Sequence, residues 1–213
     1  MISYMKHTYT NTTHHHADGT HAKNIFDNVE LFVEKFDGAD REKWQKPDEV
    51  INSFNLPENA VVVDIGAGTG YFAVRLAPQL KNGKVICFDQ SSPMALHLKA
   101  RASELGLGNI DSRVTNPDGS FELEENADLI FSVDVYHHLK DRITYFSKVT
   151  QYLKQDGVLV VIDRTEEKVE GQPMGHRVPK EEVVKEMRQA GFELVNDYDF
   201  LLPVQYYLAF KRA

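Results

Sequence analysis

The chain has 213 residues, a formal net charge of −8, 42% hydrophobic and 26% charged residues. These are globular proportions that exclude wholesale disorder and suit one domain. The acidic balance excludes a general nucleic-acid binder, which needs clustered Lys and Arg. Residues 1–23, polar and rich in Thr, Asn and His, read as a flexible segment without the apolar core of a signal peptide. His14, His15, His16 and His21 lie there without Cys or acidic residues at ligand spacing, so no metal site is expected.

Residues 24–213 read as one domain, of which 24–56 form a helical cap. Ile25, Val29, Phe32, Val33 and Phe36 recur at helical spacing up to Gly38. Asp40 to Gln45 reads as a further turn, and Pro47 opens a helix running to Phe54. Beyond Pro57, short apolar runs alternate with helical stripes, the pattern of a mostly parallel sheet. The expected strands are Ala60–Ile65, Lys84–Phe88, Asp111–Thr115, Asp128–Val133 and Gly157–Ile162. Between them lie helical stripes at Phe72–Leu80, at Met94–Leu105 with Ser92 as cap, and at Ile143–Leu153. A loop, Arg164–Val178, precedes a helix from Pro179 to Ala190. Glu193–Leu201 and Val204–Lys211, joined too tightly for a crossover, should pair antiparallel. Cys87, the single cysteine, permits no internal disulfide and suits a cytoplasmic location. No run approaches the ~20 apolar residues of a bilayer span.

The sharpest local signal is Val61-Val62-Val63-Asp64-Ile65-Gly66-Ala67-Gly68-Thr69-Gly70, between the first strand and the first helix. Glycines there let a ligand approach bare backbone at a helix N-terminus. Dinucleotide sites use G-x-G-x-x-G, whereas this loop has G-x-G-x-G with Asp64 just before it. A carboxylate there repels a pyrophosphate but suits an ammonium, as in S-adenosylmethionine. Asp89, 19 residues beyond Gly70 at the end of strand two, can accept from both hydroxyls of a ribose.

Val62–Gly70 closely resembles motif I of the class I S-adenosylmethionine-dependent methyltransferases. The resemblance runs from about Phe36 to Phe210, through Asp128–Leu139 and the turn Leu153-Lys154-Gln155-Asp156-Gly157. The branch it most resembles holds the small-molecule methyltransferases of the quinone-biosynthesis type (methyltransferase type 11). It implies an α/β fold, a Rossmann-like three-layer sandwich with strand order 3-2-1-4-5-7-6 and strand seven antiparallel. It also implies S-adenosylmethionine as cofactor, S-adenosylhomocysteine as product and a small-molecule acceptor. The implied cofactor residues are Asp64, Gly66, Ala67, Gly68, Gly70, Asp89, Gln90, Met94, Asn116, Pro117, Val133 and Asp134. Asn116 departs from an Asp that the family often places toward the adenine amine.

Methyl transfer mainly needs alignment, plus a base when the acceptor arrives protonated. Tyr136 and His137 follow strand four, and neutral imidazole makes His137 the first candidate base, or else a packed helix-start histidine. Trp44, Asp163, Arg164, His176 and Arg177 are candidates for the acceptor side. Arg177 can hold an anionic substrate or be a solvated loop charge, and Trp44 can cover the cofactor or pack in the core. Two other functions fit less well: a non-catalytic S-adenosylmethionine-binding module on the same fold, and a nicotinamide-dependent oxidoreductase.

Overall fold

The computed structural model describes residues 29, 33, 36–167 and 175–213. The histidine-rich segment 1–23 lies outside these residues, as does most of the helix expected from Ile25 to Phe36.

The described residues form one seven-stranded sheet of order β3-β2-β1-β4-β5-β7-β6. Its strands are β1 (Val61–Ile65), β2 (Lys84–Asp89), β3 (Ile110–Val114), β4 (Ala127–Val133), β5 (Leu153–Arg164), β6 (Phe192–Tyr198) and β7 (Gln205–Arg212). The first five run parallel, and β7 pairs antiparallel with both β5 and β6. The helices are α1 (Ala39–Gln45), α2 (Pro47–Ser53), α3 (Ala73–Leu76), α4 (Ser92–Glu104), α5 (Arg142–Val149) and α6 (Lys180–Gln189).

Alternation along each strand divides the core into two layers. Val63, Ile130, Val161 and Leu208 face α5 and α6, packing with Phe146, Val183 and Met187. Val62, Phe131, Val160 and Tyr207 face the opposite helices, packing with Val50, Leu76 and Leu98. Both faces are covered, which is why β1 and β4 carry apolar residues on both faces rather than alternating. Phe131 meets the ring of Phe54 at 5.3 Å and that of Phe72 at 6.1 Å, fastening the helix before β1 onto the sheet.

Several boundaries differ from those expected, each for a local reason. Asp40–Gln45 lies in a full helix, ended by Lys46 at φ 45 because the following Pro47 disfavours α geometry there. The helix expected over Phe72–Leu80 breaks after Leu76 into a 3-10 turn, Ala77–Gln79, where Pro78 has no N–H to donate. The cap of α4 is Ser91 rather than Ser92, its hydroxyl accepting from Met94 N at 3.4 Å. Leu153 opens β5 instead of closing the preceding helix. A Cβ on Gly157 would lie 2.8 Å from the Leu153 side chain and 3.0 Å from the Ala127 carbonyl, so only glycine fits where β5 joins β4. The last two strands stop short of Leu202-Pro203, leaving residues 199–204 as the connection.

Candidate active site

In a parallel sheet of this order, strands leave toward one edge, and the polar residues of the site collect there. Ile65 of β1 leads into the glycine loop, whose Gly66, Gly68 and Gly70 have φ of 72, 55 and 82. These left-handed values are costly for residues with a Cβ. The three glycines nevertheless do different work. A Cβ on Gly66 would fall 2.4 Å from Val135, and one on Gly70 2.1 Å from Leu98, so these two serve close packing within the protein. A Cβ on Gly68 would meet only the Phe36 ring, at 3.6 Å. Gly68 is therefore the glycine that keeps the loop surface bare.

The loop is tied to the end of β2. Gly66 N and Ala67 N donate to Phe88 O at 2.7 and 3.1 Å. Gly68 N donates to Asp89 Oδ2 and Ser91 N to Asp89 Oδ1, both at 2.8 Å. Asp89 thus sets the spacing of two loops. Burial raises its pKa, and the backbone donors pull the other way.

Asp64 lies directly before the loop and is 4% exposed. Its carboxyl accepts no hydrogen bond among the described residues. Burial, reinforced by the neighbouring Asp89, pushes its pKa up to about 8, while Arg41 pulls it down. Two more buried oxygens of this edge lack partners, Thr115 Oγ1 beyond β3 and Ser132 Oγ in β4. Thr115 N also donates to Asp89 O at 3.0 Å. Thr115 was not among the expected residues, because a threonine ending a weak strand carries no motif. Met94 is buried, Ala67 and Val133 are half-buried, and Gln90 is exposed. Asn116 and Pro117 stand on an exposed turn, where the Asn116 amide donates to Ser120 Oγ at 3.0 Å.

The β4–β5 side is arranged differently, with its acids already partnered. Asp134, at φ 57, accepts from Gln205 Nε2 at 2.9 Å and from Arg164 Nε at 3.3 Å. Gln205 in turn accepts from Gln45 Nε2, and Gln45 accepts from Arg41 Nε at 2.9 Å. Both glutamines are fully buried. This relay joins α1 to the end of β4. The sequence offers one hint of it, a glutamine opening the buried, otherwise apolar and aromatic run 205–210 of β7.

Asp163, at the end of β5 and 1% exposed, grips His137. Its oxygens lie 2.8 and 2.9 Å from His137 Nδ1 and accept the His137 backbone N–H at 3.0 Å. A carboxylate at Nδ1 fixes the proton there and leaves Nε2 with a lone pair, the tautomer a base requires. His138 lies against His137 with ring centroids 4.0 Å apart and planes tilted by 45°, and is itself exposed, so the packed member of the pair is His137.

Tyr136 does not share this position. It is fully buried on the opposite face, stacked on Phe146 at 5.3 Å, and its hydroxyl donates to Glu186 Oε2 at 2.6 Å. Adjacent in the 3-10 turn Tyr136–His138, Tyr136 is engaged by Glu186 and Phe146 and His137 by Asp163. The expectation for Tyr136 at the acceptor side therefore meets a hydroxyl already held in the core. Trp44 is half-buried, its ring 6.0 Å from the Arg164 guanidinium. His176 is exposed and within electrostatic reach of His138. Arg177 donates to Thr165 O and, at 2.6 Å, to Glu167 O, so it closes the neck of its own loop. Residues 168–174 of that loop lie outside the described residues. No group of three His, Cys, Asp or Glu could hold a metal ion among the described residues, and none of their helices is long and apolar enough to cross a membrane.

Comparison with known proteins agrees with this geometry. Residues 63–159 match the model of a methyltransferase domain. The chain is 23% identical to (S)-coclaurine N-methyltransferase of Papaver somniferum over 66% of its own length and 40% of that protein's. It is 30% identical to dimethylglycine N-methyltransferase of Parasynechococcus marenigrum over 51% of its own length and 39% of that protein's. The chain therefore spans less than half the length of these relatives. Among solved structures, a SAM-dependent methyltransferase from Aquifex aeolicus superposes with a TM-score of 0.80 at 22% identity, over 86% of this chain and 98% of that one. The sheet order, the glycine loop and the match over residues 63–159 are those of a methyltransferase domain.

Proposed function

We propose that this chain transfers a methyl group from S-adenosylmethionine to the nitrogen of a small-molecule amine. The observation that carries the reading is Asp64, a buried carboxyl without a donor beneath a bare glycine loop. Such a group is costly unless a ligand supplies its partner. The amino-acid end of S-adenosylmethionine brings an ammonium of the right sign. Asp89 stands where ribose hydroxyls can donate to it, and Gly68 leaves room for the ligand. When bound, the cofactor supplies a methyl on a sulfonium centre with a neutral thioether as leaving group.

The chain's own contribution is alignment and proton removal. His137, with Nδ1 held by Asp163, presents Nε2 as acceptor for the proton of an ammonium or other protonated acceptor. A nitrogen deprotonated in this way would have its lone pair free for methyl transfer. Nitrogen is favoured because two of the relatives named above are N-methyltransferases by name. Asn116, Pro117 and Gln90 would border the adenosine end, with Met94, Val133 and Asp134 nearer the middle. Trp44, Arg164 and His176 would border the acceptor.

The test is turnover. The chain, S-adenosylmethionine and a panel of secondary and tertiary amines, hydroxyl and carboxylate compounds are incubated together, and S-adenosylhomocysteine is quantified. Formation dependent on an amine supports the proposal. Formation only with hydroxyl or carboxylate acceptors overturns the nitrogen assignment, and none with any acceptor overturns the methyl transfer itself.

A further inference from the structure

Four arginines surround the glycine loop, and three of them have carboxylate partners. Arg75 pairs with Glu42 at 2.7 Å, Arg101 with Asp37 at 2.8 Å, and Arg164 with Asp134 at 3.3 Å. Arg41 does not. Among the described residues it donates only to neutral oxygens, Phe36 O at 2.8 Å and Gln45 Oε1 at 2.9 Å. Its guanidinium lies 4.0 Å over the Tyr71 ring, directly after the loop. It is close enough to lower the pKa of Asp64, and desolvation holds its own pKa below the usual value. A desolvated cation with no carboxylate in direct contact is expensive, although Asp134 and Asp37 are near enough to raise its pKa.

Its surroundings show where the anion would come from. Residues 36–41 lie across residues 68–71 at three points. Phe36 covers Gly68, the Asp37 carboxylate lies 3.4 Å from Thr69 Oγ1, and Arg41 stacks on Tyr71. Asp37, Asp64, Asp89 and Asp134 make the rest of this neighbourhood acidic. A ligand that carries both an ammonium and a carboxylate meets many partners for the first and one unpaired cation for the second.

We infer that Arg41 is the counter-ion of the cofactor's α-carboxylate, so that the segment 36–41 is a strap which the bound ligand fastens over the glycine loop. The inference rests on the cofactor assigned above. It makes Arg41 a binding residue, with Gln45 as the group that orients its Nε edge and Tyr71 as its platform.

Decarboxylated S-adenosylmethionine is the probe, since it keeps the ammonium and the sulfonium and lacks only the carboxylate. Calorimetric titration of the whole chain should show it binding about 10–100-fold more weakly than S-adenosylmethionine, the span of a charge-assisted pair. Arg41→Gln should weaken S-adenosylmethionine by a similar factor and leave the decarboxylated ligand within about twofold. Arg41→Lys should recover part of the loss. Equal affinity of the native chain for both ligands overturns the inference, and this comparison stands even if Arg41→Gln fails to fold. Equal weakening of both ligands by Arg41→Gln overturns it too, leaving Arg41 as packing for Tyr71. If neither ligand nor S-adenosylhomocysteine binds the native chain, the cofactor assignment itself fails.

Discussion

Along the sheet's C-terminal edge, Asp64 on the β1–β2–β3 side and the two acids of the β4–β5 side are treated in opposite ways. On the β1–β2–β3 side, Asp64 lacks a hydrogen-bond donor and Thr115 Oγ1 is buried without a partner. On the β4–β5 side, Asp134 and Asp163 are saturated by Gln205, Arg164 and His137. Unpaired buried groups cost about 1–3 kcal/mol each, so they mark a surface completed by something other than the protein. Saturated groups hold their neighbours still, as an imidazole must be held to work as a base. The first half is built for a ligand and the second for chemistry.

The comparison is most sharply tested at His137. His137→Gln should lower turnover by roughly 10²–10⁴ while leaving S-adenosylhomocysteine affinity unchanged. Asp163→Asn should act in the same direction, because an amide no longer fixes the Nδ1 proton. Steady-state kinetics paired with calorimetry would separate the halves. A mutant that lost affinity and kept its turnover number would invert the assignment.

The next effect belongs to the ligand half. Asp89→Ala removes the acceptor of Gly68 N and Ser91 N together with any bond to ribose. Each charge-assisted bond is worth about 1.5–3 kcal/mol, so affinity should fall at least tenfold. Circular dichroism should report an intact fold, since both donors belong to loops. Unchanged affinity in a folded variant would remove Asp89 from the site.

Asp64 should leave a smaller signature in stability. Its folded pKa, pushed up to about 8, lies above the unfolded value of 3.8. The group's stabilising contribution is therefore complete below the unfolded pKa and is lost as pH rises through the folded one. Asp64→Asn, which cannot ionise, should gain on the native chain in urea midpoint between pH 6 and pH 9. A constant difference between the two would mean that Asp64 is not buried as a neutral acid.

The smallest effect is expected outside both halves. Tyr136→Phe should cost about 1 kcal/mol of stability through the lost bond to Glu186 and leave turnover alone. A large loss of activity would return Tyr136 to the acceptor side.

What could be read from the sequence follows the same division. The glycine loop, Asp64 and Asp89 lie within one strand-helix-strand unit, so local spacing revealed them. The parallel sheet followed from the alternation, and its strand order only from the likeness to motif I. The polar relay from Arg41 through Gln45 and Gln205 to Asp134 joins residues far apart in the chain, and no local pattern records such a contact. The grip of Asp163 on His137 was hidden for the same reason, although each residue had been singled out separately. Tyr136 and His137 were separated only by the geometry of a short 3-10 turn. The glycines show the limit within a motif: spacing identified all three, yet only Gly68 faces away from the protein's own side chains.

The most direct measurement is calorimetric titration of S-adenosylhomocysteine at pH 7, in buffers of different ionisation enthalpy. At that pH Asp64, with its pKa about 8, is largely protonated before binding, and pairing with the ligand's ammonium must ionise it. Saturable binding should therefore release about one proton per ligand, and Asp64→Asn should abolish the release. Absence of binding, or binding without proton release in the native chain, would contradict the assignment of Asp64 and the ligand half built around it.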